Sequence, residues 1–327
     1  MTERIELPGL VDLQVNGAAG HDLTASPDRL WDVAAALPAY GVTAFVPTVI
    51  TADPAVPAEA LAVLRAGPPL GWVGAVPLGL HVEGPMLAPA RKGAHPGPWL
   101  RDPSVELVAG WSAEAGVVMV TLAPELPDAL AVIKELVSRG VVVSVGHTEA
   151  TAAQVAAAVD AGARCVTHLG NAMPPMRSRE PGPVGVALGG SDLVAGLIVD
   201  GHHLDPLFVR AAWRALAPDR FLLVSDTTAA LGRPDGASVL GDQSIVVADG
   251  TVRLADGTLA GSAASLLDGL RTLVRTVGVP VEEAAVACTA TPLRLLGVSR
   301  PNDLTVLTRD LELVATVVDG VLVHGSL

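Results

Sequence analysis

A chain of 327 residues has room for one large barrel and a small appendage. Half of it is apolar and only 17% is charged, which excludes a disordered chain, and the formal charge of −13 sets it against nucleic acid and anionic membranes. Two cysteines, Cys165 and Cys288, make no disulfide framework; no basic-then-apolar leader opens the chain, and no window of about 18 residues is free of charges and breakers, so no membrane span is expected and the expected compartment is the cytoplasm.

In chain order, Leu10–Val15 reads as a first apolar strand that runs into Asn16-Gly17. Ser26-Pro27-Asp28 opens a helix to Tyr40, and Gly41 stops it. Ala44–Val49 is a second strand and Pro57–Arg65 a second helix. Gly79–Glu83 is the third strand, ended by Gly84-Pro85. Asp102–Ala115 has helical spacing behind Pro103. Val117–Leu122, Val141–Val145 and Ala163–Thr167 follow as strands four to six, with helices over Pro127–Ser138 and from Thr148 to Ala161 between them. Leu193–Val199, a helix over Pro206–Ala217 and Phe221–Ser225 complete the series.

Eight short aliphatic strands alternate with helical segments, and their continuous apolar runs mean both faces are buried. That pattern predicts an α/β protein, a closed (β/α)8 barrel of the TIM type over residues 8–240. No glycine-rich phosphate fingerprint follows the first strand, which argues against a dinucleotide fold. Beyond Asp226 the pattern changes. Gln243–Leu254 alternates around Asp249-Gly250, a hairpin signature. Helices over Ser262–Val277 and Val281–Leu296 should pack on the barrel. Asp303–Leu307 and Leu313–Val323 read as late strands that a closed barrel cannot admit. Residues 1–7, 241–258 and 300–327 are therefore expected to form a small, reduced β satellite domain.

Four strand ends carry polar side chains: Glu83, His147, His168 and Asp226 close strands three, five, six and eight. In a barrel these ends face one mouth, so the side chains can converge. Each histidine alone is as readily a hydrogen-bonded barrel residue; their joint placement carries the argument. Two imidazoles and a carboxylate suit Zn²⁺ with a position open to water, and Asp226 is placed to take and return a proton. Gln14 and Asn16 end the first strand where a second metal would need better ligands, so one divalent ion is expected. His95, behind Lys92-Gly93, could bond a substrate carbonyl or hydroxyl. Asn171-Ala172 can present N–H groups to an anion, and Arg179 on its Pro/Gly-rich loop could hold a phosphate or carboxylate. His202 and His203 face the same mouth, while His21 and His324 read as structural or exposed.

The stretches PGLVDLQVNGAAG, GLHVEGPMLAPARKGAH, SVGHTEAT, THLGNAMPPMRSREPG, DGHHLD, VSDTTAALG and LAGSAASLLDGLR together resemble the N-acetylglucosamine-6-phosphate deacetylase family of the amidohydrolase superfamily. The resemblance spans roughly residues 8–297. It implies a metal held by Glu83, His147 and His168, with Asp226 as catalytic acid/base. It implies contacts to an N-acetyl amino sugar phosphate from Ala94, His95, Asn171, Ala172, Arg179, His203 and the Leu259-Ala260-Gly261 turn. It also implies a homodimer in which the phosphate arginine acts across the interface. Three departures stand out: little chain precedes Pro8, Gly170 replaces an aromatic residue, and Thr227 follows Asp226. The first is expected to shrink the satellite, and the second to open a wall near the metal. A deacetylase of N-acetylgalactosamine 6-phosphate or of a non-phosphorylated N-acyl compound, and a non-catalytic binding relative, remain alternatives.

Overall fold

The computed structural model describes residues 4–216 and 218–327. Eight parallel strands pair side by side in chain order: β1 (Leu10–Val15), β2 (Val42–Ile50), β3 (Leu80–Glu83), β4 (Val117–Leu122), β5 (Val142–Val145), β6 (Cys165–Val166), β7 (Val194–Ile198) and β8 (Phe221–Val224). β1, β2, β3 and β8 are buried at every position, which is why their sequences run apolar instead of alternating. The outward residues pack under the helices. The inward ones fill the barrel in layers: an apolar plug that includes Val11, Leu13, Val46, Met119, Cys165 and Leu222 lies low. Above it are the buried polar side chains Thr48, His81, Thr121, Ser144 and Thr167.

β1 and β8 close the barrel without a continuous ladder. Near the mouth, Val15 bridges Thr227, and Asn16 N–H donates to the Thr227 carbonyl at 2.8 Å. In the middle, Asp12 Oδ1 accepts the N–H of Ser225 at 3.2 Å and of Gln14 at 3.3 Å. At the foot, Val11 and Leu223 donate to the carbonyls of Cys288 and Ala287. This explains a departure from the sequence reading: the helix expected over Val281–Leu296 is two helices, Val281–Val286 and Ala290–Leu296. The carbonyls at the break are spent on the seam of the barrel.

The expected helix over Asp102–Ala115 is a run of turns. It starts helically, with Ser104 Oγ accepting the Leu107 N–H. The Arg139 guanidinium then takes the Val108 and Ala109 carbonyls that a helix would need for itself. The helix after β7 covers Pro206–Leu216, and the last residue of the expected span, Ala217, lies outside the described residues.

The late strands form two antiparallel sheets, with no hydrogen-bonded strand pairing between them among the described residues. One joins Arg4–Pro8 to Leu304–Thr308, Leu313–Val318 and Val321–Gly325. The other, Gly236–Leu240, Gln243–Ala248, Thr251–Arg253 and Leu259–Ser262, is inserted after β8. Its Asp249-Gly250 turn has φ of +50° and +73°, the mirror-image turn that hairpins favour. Ser262 N–H donates to the Asp226 carbonyl at 2.9 Å, which staples this sheet to the barrel mouth. No helix among the described residues is long and apolar enough to cross a membrane.

The seam generates a prediction. Asp12→Ala leaves the Ser225 and Gln14 N–H groups buried without an acceptor. It should cost about 1–3 kcal/mol in urea unfolding, and Asp12→Asn, which keeps an acceptor, should cost less. Equal losses would show that the seam does not depend on this acceptor.

Candidate metal centre and the cavity around it

Glu83 is the last residue of β3, and His147 and His168 lie just past the ends of β5 and β6. One Glu83 oxygen, Oε1, stands 3.2 Å from His147 Nε2 and 3.2 Å from His168 Nε2. The two nitrogens are 3.0 Å apart. His147 Nδ1 is 2.8 Å from the Arg91 carbonyl, which can only accept, so Nδ1 carries a proton, and in the neutral ring Nε2 presents a lone pair. That lone pair faces a carboxylate oxygen and a second imidazole nitrogen. Such a cluster repels itself unless positive charge sits among its members. Two ligand atoms, each about 2.0–2.2 Å from one ion at the tetrahedral angle, stand about 3.3–3.6 Å apart, close to the spacing here. These three buried side chains could therefore hold one metal ion.

Without an ion, hydrogen bonds within the cluster take its place. Burial opposes charging His168, but its hydrogen bond and attraction to Glu83 outweigh burial and raise its pKa. Burial would likewise raise Glu83; the hydrogen bonds from His147 and His168 outweigh it and hold the carboxyl well below its usual range. Gln14 Nε2 adds a donor 3.3 Å from each Glu83 oxygen. Arg91 touches the cluster through its carbonyl to His147, and its guanidinium pairs with Glu149 outside the cluster.

The backbone here is held in an unfavourable region. His147, His168 and Asp226 have φ of +48°, +31° and +51°. Left-handed backbone at non-glycine residues costs free energy and persists only where packing overdetermines it. Three such residues at three strand ends turn their side chains towards one mouth.

Asp226 Oδ1 accepts from Asn16 Nδ2 at 2.7 Å. Burial, and next the charge of Glu83, push its carboxyl up to about 7. Gly261 sits against it: a Cβ at Gly261 would lie 2.8 Å from the Asp226 carbonyl oxygen, so only glycine permits the approach. His95 Nδ1 accepts the Thr51 N–H at 3.3 Å, so its Nε2 carries the ring proton. Burial, then the neighbouring His147, hold its pKa well below the usual histidine value, and the ring is a neutral donor. His203 Nδ1 is 2.7 Å from the buried Asp200 carboxylate, which fixes the ring.

A cavity of about 460 Å³ opens over these groups. Its wall includes Glu83, Ala94, His95, His147, His168, Asn171, Ala172, His203, Asp226, Leu259, Ala260 and Gly261, so nearly every residue named from the sequence meets there. Arg179 does not line it and is exposed on the loop after β6. Gly170 opens no wall of the cavity; a Cβ there would meet Leu204 and Phe208, whose side chains fill that side. The sequence reading missed the roles of Asn16 and Gln14 as donors, and the contributions of Lys92, Leu240, Asp256 and Thr258 to the wall. The spacing of two amides at the end of β1 was the available signal, since i and i+2 share one face of a strand.

Residues 5–323 match the model of the Amidohydrolase family. The chain is 35% identical to an N-acetylglucosamine-6-phosphate deacetylase of Bacillus subtilis, over 97% of this chain and 84% of the relative. It is 38% identical to one from Danio rerio, over 90% and 76% respectively. Among solved structures, a mutant N-acetyl-D-glucosamine-6-phosphate deacetylase from Mycobacterium smegmatis, in complex with N-acetyl-D-glucosamine-6-phosphate, superposes with a TM-score of 0.90 at 37% identity. It covers 98% of this chain and 87% of that one. The enzyme from Thermotoga maritima also gives 0.90, at 30% identity and 98% and 89% coverage. This chain belongs to the N-acetylglucosamine-6-phosphate deacetylase family of the amidohydrolases.

Proposed function

We propose that this protein hydrolyses the acetamide of N-acetylglucosamine 6-phosphate to acetate and glucosamine 6-phosphate, using one Zn²⁺ held by Glu83, His147 and His168. The observation that carries this reading is the meeting of three mutually repelling donor atoms beside a buried carboxyl, at the floor of one cavity. The cavity falls within the range of about 300–1,000 Å³ usual for small-molecule sites. A divalent ion bound there supplies Lewis-acid polarisation of the amide carbonyl and acidifies a water. Asp226, as the carboxylate, accepts the proton of the attacking water. His95 donates from Nε2 to the acetamide oxygen as charge develops on it. Asp226 then returns the proton to the nitrogen as the C–N bond breaks. The Asn171-Ala172 turn and His203 take the sugar phosphate, with the backbone at Leu259–Gly261 closing the other side. We place the reaction in the cytoplasm, a setting compatible with two buried, unpaired cysteines.

An acetate-release assay over N-acetyl sugar phosphates with added zinc tests the reading. Turnover of N-acetylgalactosamine 6-phosphate in preference to the gluco epimer would replace the substrate. Equal kcat/KM with and without the phosphate would remove the phosphate contacts.

Asp226→Asn should lower kcat by at least about 10²–10⁴-fold while bound zinc, measured by elemental analysis, stays at one per chain. Surviving turnover would take the proton transfer away from Asp226.

The same carboxyl sets a pH dependence. The base works ionised, so activity should fall as pH drops through its pKa. That value is raised in the metal-free chain, and a nearby dication lowers it again. Asn16 favours the ionised form by donating to it. Asn16→Ala should therefore shift the acid limb of kcat/KM to higher pH; an unmoved limb would mean that Asn16 does not tune the base.

We also propose a homodimer in which Arg179 of one protomer serves the cavity of the other. Its exposure and its absence from the wall of its own cavity support this. Mixing inactive Arg179→Ala and Asp226→Asn proteins and allowing subunit exchange should restore activity, because each mixed dimer has one intact site. No recovery despite exchange would confine Arg179 to its own chain.

A further inference from the structure

Beneath the candidate metal ligands lies a chain of hydrogen bonds to which the proposed reaction gives no task. His81 Nδ1 is 3.3 Å from Thr48 Oγ1, and His81 Nε2 is 2.8 Å from Thr121 Oγ1. Thr121 Oγ1 is 2.7 Å from Thr167 Oγ1, which is 2.6 Å from Ser144 Oγ. All five residues are buried, at 2% exposure or less. They come from β2, β3, β4, β5 and the end of β6, five adjacent strands, with the Thr121–Thr167 bond passing from β4 to β6 and Ser144 on β5 joined to Thr167.

Its placement relative to the ligands is regular. His81 precedes Glu83 by two residues on β3, and in a strand these share a face. Ser144 lies on β5, three residues before His147, and Thr167 immediately precedes His168. Each strand that delivers a ligand therefore contributes one member, and the members are bonded to one another, directly or through Thr121. A second feature points the same way. A Cβ at Gly146, the residue before His147, would lie 2.7 Å from Thr121 Cγ2 and 2.9 Å from Thr167 Cβ. Gly146 has no positive φ to explain the glycine. The backbone carrying His147 rests directly on the Thr121–Thr167 pair.

We infer that the hydroxyl–imidazole chain Thr48–His81–Thr121–Thr167–Ser144 is a positioning layer for the metal ligands. It fixes the relative heights of β3, β5 and β6, so that Glu83, His147 and His168 meet at one point. Parallel strands can slide against each other by small amounts at little cost to their apolar packing. A displacement of a few tenths of an ångström is enough to spoil a three-ligand site. Short hydroxyl–hydroxyl bonds between these strands resist that slide because buried hydroxyls left unpaired are costly. The chain touches neither the cavity nor the reacting atoms, so its members are positioning residues and not catalytic ones.

The test removes one hydroxyl without changing shape and reads metal affinity. Thr167→Val and Thr121→Val, stripped of metal, are titrated with Zn²⁺ against a chromophoric chelator, and the visible spectrum of the Co²⁺ form is recorded. The dissociation constant should rise by about 10–100-fold, the range for lost outer-shell support, and the Co²⁺ bands should shift. Thr167→Ser, which keeps the hydroxyl, should restore both to within a few-fold of the parent. The Tm of each metal-free variant is measured in parallel. A lowered Tm with unchanged affinity and an unchanged Co²⁺ spectrum would reduce the chain to core packing and overturn the inference. Should the valine variants fail to fold, Ser144→Ala at the end of the chain is read in the same way. The inference rests on the metal reading of Glu83, His147 and His168. If the parent takes up no divalent ion, that reading fails; if parent and variants bind it equally, only the positioning layer fails.

Discussion

Three electron-rich atoms from distant parts of the chain are pressed to within 3.0–3.2 Å of one another, and the rest of the barrel mouth answers to that demand. Apolar packing has no reason to create such a cluster and hydrogen bonding cannot satisfy it fully. His168 Nδ1 is buried with no hydrogen-bond partner among the described residues, and the backbone at His147 and His168 sits in a region that costs free energy. Local conflicts of this kind are retained where a bound group resolves them. The supports lie in successive shells. The Arg91 carbonyl sets the His147 tautomer, Gln14 braces Glu83, and the hydroxyl layer beneath ties the three strands to a common height.

The closure of the barrel bears on the same site. Asp226 follows β8 and Asn16 follows β1, so the seam between these strands sets the distance between the Asp226 carboxyl and its Asn16 donor. Ala287 and Cys288 hold the foot of the seam, Asp12 the middle and Thr227 the top. The inserted sheet is fastened to Asp226 itself through Ser262, and its turn at Leu259–Gly261 reaches the cavity wall. The cavity-lining turn and the Asp226 carboxyl are therefore parts of one hydrogen-bonded unit, although more than thirty residues of chain separate them.

Much of this was legible in the sequence for a physical reason. Strands buried on both faces need continuous apolar runs, and a polar residue placed where such a run ends is exposed to view; Glu83, His147, His168 and Asp226 stood out on that account. The Asp249-Gly250 turn was equally plain, because few residue pairs tolerate two positive φ values. What escaped notice depends on tertiary hydrogen bonds that no local pattern encodes. The turns over residues 102–115 follow from where Arg139 sends its guanidinium. The break at residues 287–289 follows from carbonyls needed by β1 and β8. Thr48, Thr121, Ser144 and Thr167 look like ordinary β-branched and small strand residues. Only the register that lines them up across neighbouring strands shows them to be one network.

The two amides at the end of β1 bear on the number of ions the site can take. Gln14 turns its Nε2 towards both oxygens of Glu83, and Asn16 turns its Nδ2 towards Asp226. Each presents N–H groups, which carry partial positive charge, to the side of the carboxylate that a second cation would need. A ligand set for two ions would require acceptors in those places. The amides neutralise part of the carboxylate charge, which leaves Glu83 able to hold the one ion proposed here. In the metal-free chain burial and the charge of Glu83 raise the Asp226 carboxyl, and the Asn16 donor draws it back towards the ionised form. Two donors stand where a second ion would need ligands, so the arrangement suits the single ion and the base proposed for this site.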